Sequence, residues 1–429
     1  MQWSELEKEV IRCIKCGACQ SVCPVFKELK AESTVARGKI NLIRAVIRGD
    51  VDEAGAGFEE RMSWCLMCKA CQESCPSGVK LDQLMLAARR KLAEDKGLPL
   101  LKKLIFRLGL RNRRLFDLGM SMGSVFQGLL LRPAPGGKGM LPRLPMGLDM
   151  RRLVSPVDAR PFRSRVPERV AVDNPRKTVA FFTGCMINYV YPQIGEAVVE
   201  VLRRNGVAVI IPADQHCCGT PVYVNGDVPT AVELARATVD TLAGLDAEAD
   251  AVITACGSCG AALRKEYATL LADEPGYAEK VAALAAKTKD FAEFLAEVGL
   301  TAEMRGLAAT ATYHDSCHLA RSQGVRRQPR QLIAGVPGLT FKELKAPARC
   351  CGAAGSFSLA HYDLSRSIND HKVDDIAASG ADTVVTGCPM CMMHIRDGLN
   401  QRGVDGEVLH TAELLARAYA GEKGTERNG

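Results

Sequence analysis

The rhythm of apolar and polar positions changes twice along the chain. Up to residue 98 it is helical: STVARGKINLIRAVIRG sets Leu42, Ile43, Val46 and Ile47 on one inward face, and LDQLMLAARRKLAED continues as helix. From residue 177 onward, apolar runs of strand length alternate with amphipathic stretches. TVAFF, VAVII and DAVIT are separated by IGEAVVEVLRR and VPTAVELARATVDTLA; ATATY, LTF and DTVVT follow, with helices expected at 325–334 and 360–379. Strand–helix alternation of this kind predicts parallel sheets covered by helices. Between the two regimes lies LLKKLIFRLGLRNRRLFDLG, apolar and basic, followed by the Pro/Gly-rich RPAPGGKGMLPRLPMG. The expectation is an α+β chain in four parts: a mostly helical unit at 1–98, a connector at 99–176, and α/β modules at 177–300 and 301–429.

Charge sharpens the picture of the connector. From Arg89 to Val170 there are 19 Lys and Arg against 6 Asp and Glu, in a chain whose net charge is +7. A basic amphipathic helix can lie on an anionic membrane surface or meet an acidic partner, and a solvated linker is the plain alternative. Aromatics make up only 5% of the residues, which removes the stacking platforms of a nucleic-acid binder. The start MQWSELEKEV has neither the basic nor the apolar part of a signal peptide, and no run of about 18 apolar residues occurs. The expected location is cytoplasmic, with any membrane contact peripheral and on the inner face.

The 18 cysteines carry the chemistry. In a chain this long they are metal ligands and not the disulfide frame of a small secreted domain. All fall into three blocks. The first contains one pattern twice, CIKCGACQSVCP at 13–24 and CLMCKACQESCP at 65–76. Each is C-x2-C-x2-C-x3-C-P, the run of bacterial ferredoxins, in which the fourth cysteine serves the other cluster. Cys13, Cys16, Cys19 and Cys75 are thus expected to hold one [4Fe–4S] cluster, and Cys65, Cys68, Cys71 and Cys23 a second. Structural zinc would draw two ligands from each of two knuckles, not three from one loop. Pro24 and Pro76 suit the first turn of a helix after each fourth cysteine.

The other two blocks repeat each other. Cys185, Cys217, Cys218, Cys256 and Cys259 are matched by Cys317, Cys350, Cys351, Cys388 and Cys391, with 31 and 32 residues before the CC pair and 37 and 36 after it. Such agreement marks duplicated modules whose cysteines follow strand ends, where open α/β sheets place ligands. Gly219 and Gly352 would let the backbone approach whatever the thiolates hold. A catalytic dithiol would use the CxxC pairs but leave the CC pairs unexplained. His216, His314 and His318 adjoin these cysteines and could donate hydrogen bonds or shuttle a proton; an ordinary loop histidine is the competing reading. His361, His371, His394 and His410 read as surface or helix positions without a role.

Two ferredoxin motifs followed by two CCG modules resemble the iron–sulfur subunit of glycolate oxidase and its lactate dehydrogenase relatives over essentially the whole chain. ARGKINLIRAV, CPSGVKLDQLM, TGCMINYVYP, CCGTP and CCGAAGSFSLAHYDLSRSINDHK carry the likeness. The resemblance implies a subunit that takes electrons from an FAD-containing 2-hydroxy acid dehydrogenase and passes them toward quinone, without a substrate site of its own. The modules also resemble the CCG-bearing subunit of heterodisulfide reductase, whose five-cysteine sets hold non-cubane [4Fe–4S] clusters. Here both sets are complete, although glycolate oxidase members often lack part of the last CxxC pair, so one or two further clusters are expected. A reductase acting on a disulfide and the iron–sulfur subunit of anaerobic glycerol-3-phosphate dehydrogenase are the alternatives. No GxGxxG follows a strand, so the chain shows no dinucleotide-binding signature of its own.

Overall fold

The computed structural model describes residues 3–52, 55–135, 139–145 and 147–421. Part of the Pro/Gly-rich stretch, 136–138 and 146, lies outside them, as do 1–2, 53–54 and the C-terminal 422–429. Among the described residues, three small sheets with eleven strands are set among helices. β1 (Leu131–Pro133) and β2 (Met140–Pro142) form an antiparallel hairpin. β3 (Arg169–Val170), β4 (Lys177–Phe182), β5 (Val207–Ile210), β6 (Ala251–Thr254) and β7 (Thr288–Asp290) make one sheet, in the order β3-β5-β4-β6-β7. β8 (Ala309–His314), β9 (Leu339–Phe341), β10 (Thr383–Thr386) and β11 (Glu407–His410) make the other, in the order β11-β10-β8-β9.

Apart from β3, which runs antiparallel along the edge, both sheets are parallel, as the alternation of patterns predicted. Each orders its strands second, first, third, fourth, so the duplication seen in cysteine spacing extends to topology. β7 and β11 were not foreseen. They are short, but each leads into a helix closed by a capping box, Asp290 with Glu293 and His410 with Glu413.

The modules pack reciprocally. Helix 192–204, which follows the first parallel strand of one module, lies on helix 411–420, which follows the last strand of the other. Helix 327–334 and helix 291–298 make the converse contact. Asn205 ties the seam, donating from Nδ2 to the Tyr419 hydroxyl (2.9 Å) and accepting from the Thr301 amide (2.7 Å). One continuous apolar core runs through both modules.

The N-terminal unit is helical, with its own core of Ile40, Ile43, Val46, Met62, Leu84 and Met85. In helix 36–47 the inward face is turned from the expected one: Ile40, Ile43 and Val46 are buried, while Leu42 and Ile47 sit at its margin. The residues between this unit and the first module are not a free linker. Phe162 is fully buried in the module core, stacked edge-on to Phe181, and its ring fills the space beside Gly195. Phe106 and Leu110 pack against Val222, Tyr223 and Cys217. Helix 113–130 follows, capped by Asn112, whose side chain accepts from the Leu115 amide.

Candidate iron–sulfur centres

The paired CxxC loops of the N-terminal unit share one backbone device. The residues two and four after the first cysteine of each run are left-handed: Lys15 and Gly17 in one, Met67 and Lys69 in the other. Left-handed turns at these points wrap the loop around a concave centre. One niche is lined by Cys13, Cys16, Cys19 and Cys75, the other by Cys23, Cys65, Cys68 and Cys71, so the fourth cysteine of each run does cross to the other loop. Cys71 borders both. Pro24 opens helix 24–29 as foreseen, but Pro76 lies in a turn and the helix resumes only at Leu81. Cys16 is exposed, whereas Cys68 is buried.

Two cations press on the second niche. Lys39, 1% exposed, donates to the Ser33 and Arg61 carbonyl oxygens. Burial pulls its ammonium down to about 8, while nearby Cys65 and Cys23 act to raise it. Arg89 donates to the carbonyls of Met62, Cys65 (2.7 Å) and Val224 (3.0 Å), linking this niche to the first module. Burial pushes the Cys23 thiol up to about 12, and burial also raises Cys71. Thiols this desolvated become thiolates only when strong positive charge replaces the proton, as iron does.

In each module the five cysteines converge at the C-terminal ends of the parallel strands. Cys185 touches Cys217, which adjoins Cys218; Cys218 and Cys259 stand 3.5 Å apart, sulfur to sulfur, and Cys259 neighbours Cys256. Cys317, Cys350, Cys351, Cys391 and Cys388 repeat this order. Gly219 and Gly352 are both left-handed. At Gly352 the space is taken by the protein's own backbone: a Cβ there would stand 2.5 Å from the Ser365 carbonyl oxygen. Gly184, which sequence reading passed over, also has positive φ, and a Cβ on it would sit 2.9 Å from the Cys259 sulfur.

The sets are not isolated. Cys256 of the first module meets Cys388 of the second where the two CxxC loops face each other, a consequence of the reciprocal packing. Cys68 of the N-terminal unit meets Cys350. Arg321 secures that second seam, donating to the Cys68 carbonyl (3.2 Å) and pairing with Glu73. Only tertiary structure could bring these two cysteines together, since 281 residues lie between Cys68 and Cys350 in the chain.

The histidines divide differently from expectation. His314 is buried, with neither ring nitrogen hydrogen-bonded among the described residues, and lies within 4.8 Å of the Cys351 and Cys391 sulfurs. Burial and the nearby Lys372 ammonium hold it down to about 3, hence neutral. His318 meets the Met67 carbonyl, and His216 lines the niche at Cys185 and Cys217. His394 and His410 are not surface residues: both are buried, one beside Ser365 and the other capping the last helix.

All-sulfur donor sets in four contiguous groups fit iron–sulfur clusters, and the fold and site define an iron–sulfur electron-transfer protein. Comparison with known proteins agrees. A family model described as a 4Fe-4S dicluster domain matches residues 9–79, and one described as a cysteine-rich domain matches 179–264 and 311–396. A Bacillus subtilis (strain 168) protein named "Probable glycolate oxidase iron-sulfur subunit" is 33% identical over 97% of this chain and 95% of its own length. One subunit of the fumarate reductase (CoM/CoB) of Methanothermobacter marburgensis is 31% identical over 96% of this chain and 73% of its own. Lactate utilization protein A of Bacillus cereus (strain G9842) is 33% identical over 55% of this chain and 98% of its own. A hypothetical protein from Helicobacter pylori shares the fold, with a TM-score of 0.52 at 10% identity over 90% of this chain and 68% of that one. The chain belongs to the family of the glycolate oxidase iron–sulfur subunit.

Proposed function

We propose that this chain is the electron-transfer subunit of a flavin-dependent 2-hydroxy acid dehydrogenase, with glycolate or lactate as the substrate of the complex. In this reading Cys13, Cys16, Cys19 and Cys75 hold one [4Fe–4S] cluster and Cys23, Cys65, Cys68 and Cys71 a second. Cys185, Cys217, Cys218, Cys256 and Cys259 hold a further non-cubane cluster, as do Cys317, Cys350, Cys351, Cys388 and Cys391. When bound, these groups supply one-electron storage, which suits a flavin donor that can release its two electrons singly. The carrying observation is the series of neighbouring thiols that starts at the niche of exposed Cys16. It runs through Cys71, Cys68 and Cys350, then Cys388 and Cys256, to Cys185. The protein's own contribution is to desolvate these thiols and to set Lys39, Arg89 and Arg321 against them.

A membrane surface is the place where the chain delivers its electrons. Leu100, Leu101, Leu104, Ile105 and Leu108 are exposed at helical spacing, and so are Leu118, Met122, Val125, Phe126 and Leu129 on one face of helix 113–130. No described helix is long and apolar enough to cross a membrane. An acidic protein partner is less favoured, because Arg107, Arg111 and Arg113 already pair with this chain's Asp227, Glu233 and Asp214. The faces left to solvent are apolar, which suits a bilayer.

The test is to express the chain with its FAD-containing partner, purify the complex anaerobically, and add lactate or glycolate. Substrate-dependent appearance of the reduced-cluster EPR signal is expected; a chain that no hydroxy acid reduces through any flavoprotein refutes the reading. Reoxidation of the isolated reduced chain by a disulfide would instead favour a heterodisulfide reductase-like activity, which the complete second CxxC pair permits. For the membrane, Val125→Glu with Leu129→Glu should abolish flotation with vesicles containing anionic phospholipid.

A further inference from the structure

The duplication breaks at one position beside the sulfurs. β4 and β8 are the first parallel strands of their sheets, and each ends three residues before the first cysteine of its set, β4 at Phe182 and β8 at His314. Phe182 pairs with Thr254 at the end of β6, and His314 with Thr386 at the end of β10, so the two residues hold the same place in the fold. In the first module that place carries a buried ring without a polar atom. A Cβ on Gly184 would stand 3.9 Å from this ring and 2.9 Å from the Cys259 sulfur. In the second module it carries an imidazole, 1% exposed. One ring nitrogen of His314 and the sulfurs of Cys351 and Cys391 all lie within 4.8 Å of one another.

Neither Nδ1 nor Nε2 of His314 has a hydrogen-bond partner among the described residues. An imidazole N–H kept from water without an acceptor is destabilising, and Phe182 shows that this place can be filled by a side chain free of that penalty. The strand end itself is anchored, since the His314 carbonyl accepts from the Thr386 hydroxyl at 3.0 Å. We propose that His314 donates an N–H hydrogen bond to a sulfur of the iron–sulfur cluster in the second module and so raises its reduction potential. The proposal rests on the cluster assignment made above and gives the second module a device that Phe182 denies the first. Ligation of iron by the imidazole fits less well. Cys317, Cys350, Cys351, Cys388 and Cys391 already offer five thiolates to four irons, and the first module has its full set without a histidine at this place.

One electron crosses where Cys68 meets Cys350, oxidising the ferredoxin side and reducing the second module, and no bond to His314 forms or breaks. Reduction adds negative charge to the sulfurs, so an N–H bond to them is stronger in the reduced state and favours it. His314 acts through the sulfurs and is a positioning residue. The duplicated modules are therefore unequal in use: the one that meets the N-terminal unit holds its electron more firmly than it would with phenylalanine at this place.

The experiment uses the full, cluster-loaded chain, titrated anaerobically and followed by EPR; the signal lost in Cys391→Ser identifies the second-module cluster. His314→Phe installs the residue that the first module already carries at this place, so fold and iron content should match the parent. At a fixed ambient potential its ratio of reduced to oxidised second-module cluster should fall about tenfold, a midpoint about 59 mV lower, with the ferredoxin signals unmoved. His314→Gln, which keeps an N–H donor, should recover part of that shift. In the parent, electron–nuclear double resonance should show a proton coupled to this cluster that exchanges in D2O and is missing in His314→Phe. An unchanged midpoint at full iron content, or a strong nitrogen coupling that marks the imidazole as an iron ligand, would overturn the proposal and leave the cluster assignment standing. A second module without iron of its own would overturn both.

Discussion

Lys39→Met isolates what a buried cation does beside a cysteine niche. In the cluster-free chain, lowering the ammonium from 10.5 to about 8 corresponds to a burial cost of about 3 kcal/mol. Methionine removes that cost but leaves the Arg61 and Ser33 carbonyls without a donor, a loss of about 1–3 kcal/mol each. The two effects roughly cancel, so the variant should fold and load iron normally. With a cluster held by Cys23, Cys65, Cys68 and Cys71 the balance differs, because reduction adds a negative charge that Lys39 stabilises. One unit charge at about 8 Å in an effective dielectric of about 20 is worth roughly 2 kcal/mol. At about 59 mV per tenfold for one electron, removing Lys39 lowers the midpoint potential by ~90 mV. The assay is anaerobic redox titration followed by EPR. Arg37→Met is the comparison: Arg37 is solvated and paired with Glu32 at 2.6 Å, so its removal should move the other ferredoxin step, and by distinctly less. A shift under ~20 mV for Lys39→Met with iron content unchanged, or a shift upward, would refute the argument.

Three further outcomes follow from the packing. Phe162→Ala empties a fully buried aromatic site and should cost about 3–5 kcal/mol, seen as a lower denaturant midpoint; a loss under about 1 kcal/mol would mean the 99–176 segment is only loosely attached. Gly226→Ala meets both a positive φ and a Cβ 2.3 Å from the Arg89 carbonyl oxygen, so it should loosen the seam between the N-terminal unit and the first module. Faster amide hydrogen exchange in helix 81–96, with the module sheets unaffected, is the expected signature. Cys391→Ser should remove roughly four irons per chain and leave the ferredoxin signals intact; an unchanged iron count would show that this set holds no cluster.

Much of this protein was legible in its sequence because ligands on tight loops are local chemistry. The two C-x2-C-x2-C-x3-C runs fold alike, with left-handed turns at the matching positions Lys15 and Gly17, and Met67 and Lys69. Parallel strands announced themselves as apolar runs between helices, and the matched spacing of ten cysteines exposed the duplication. Short edge strands such as β7 and β11 did not, since three or four residues carry too little pattern. Contacts between distant segments were equally silent. Lys39 is one polar residue in an amphipathic helix until folding buries it beside Cys23 and Cys65, and Pro76 is a helix starter by rule but a turn by context. The meetings of Cys68 with Cys350 and of Cys256 with Cys388 depend on how whole modules dock. Ligand identity is written in residue type and spacing, over distances the backbone enforces by itself. The order in which the cysteine sets touch is decided by helix packing across hundreds of residues, and only the tertiary structure holds it.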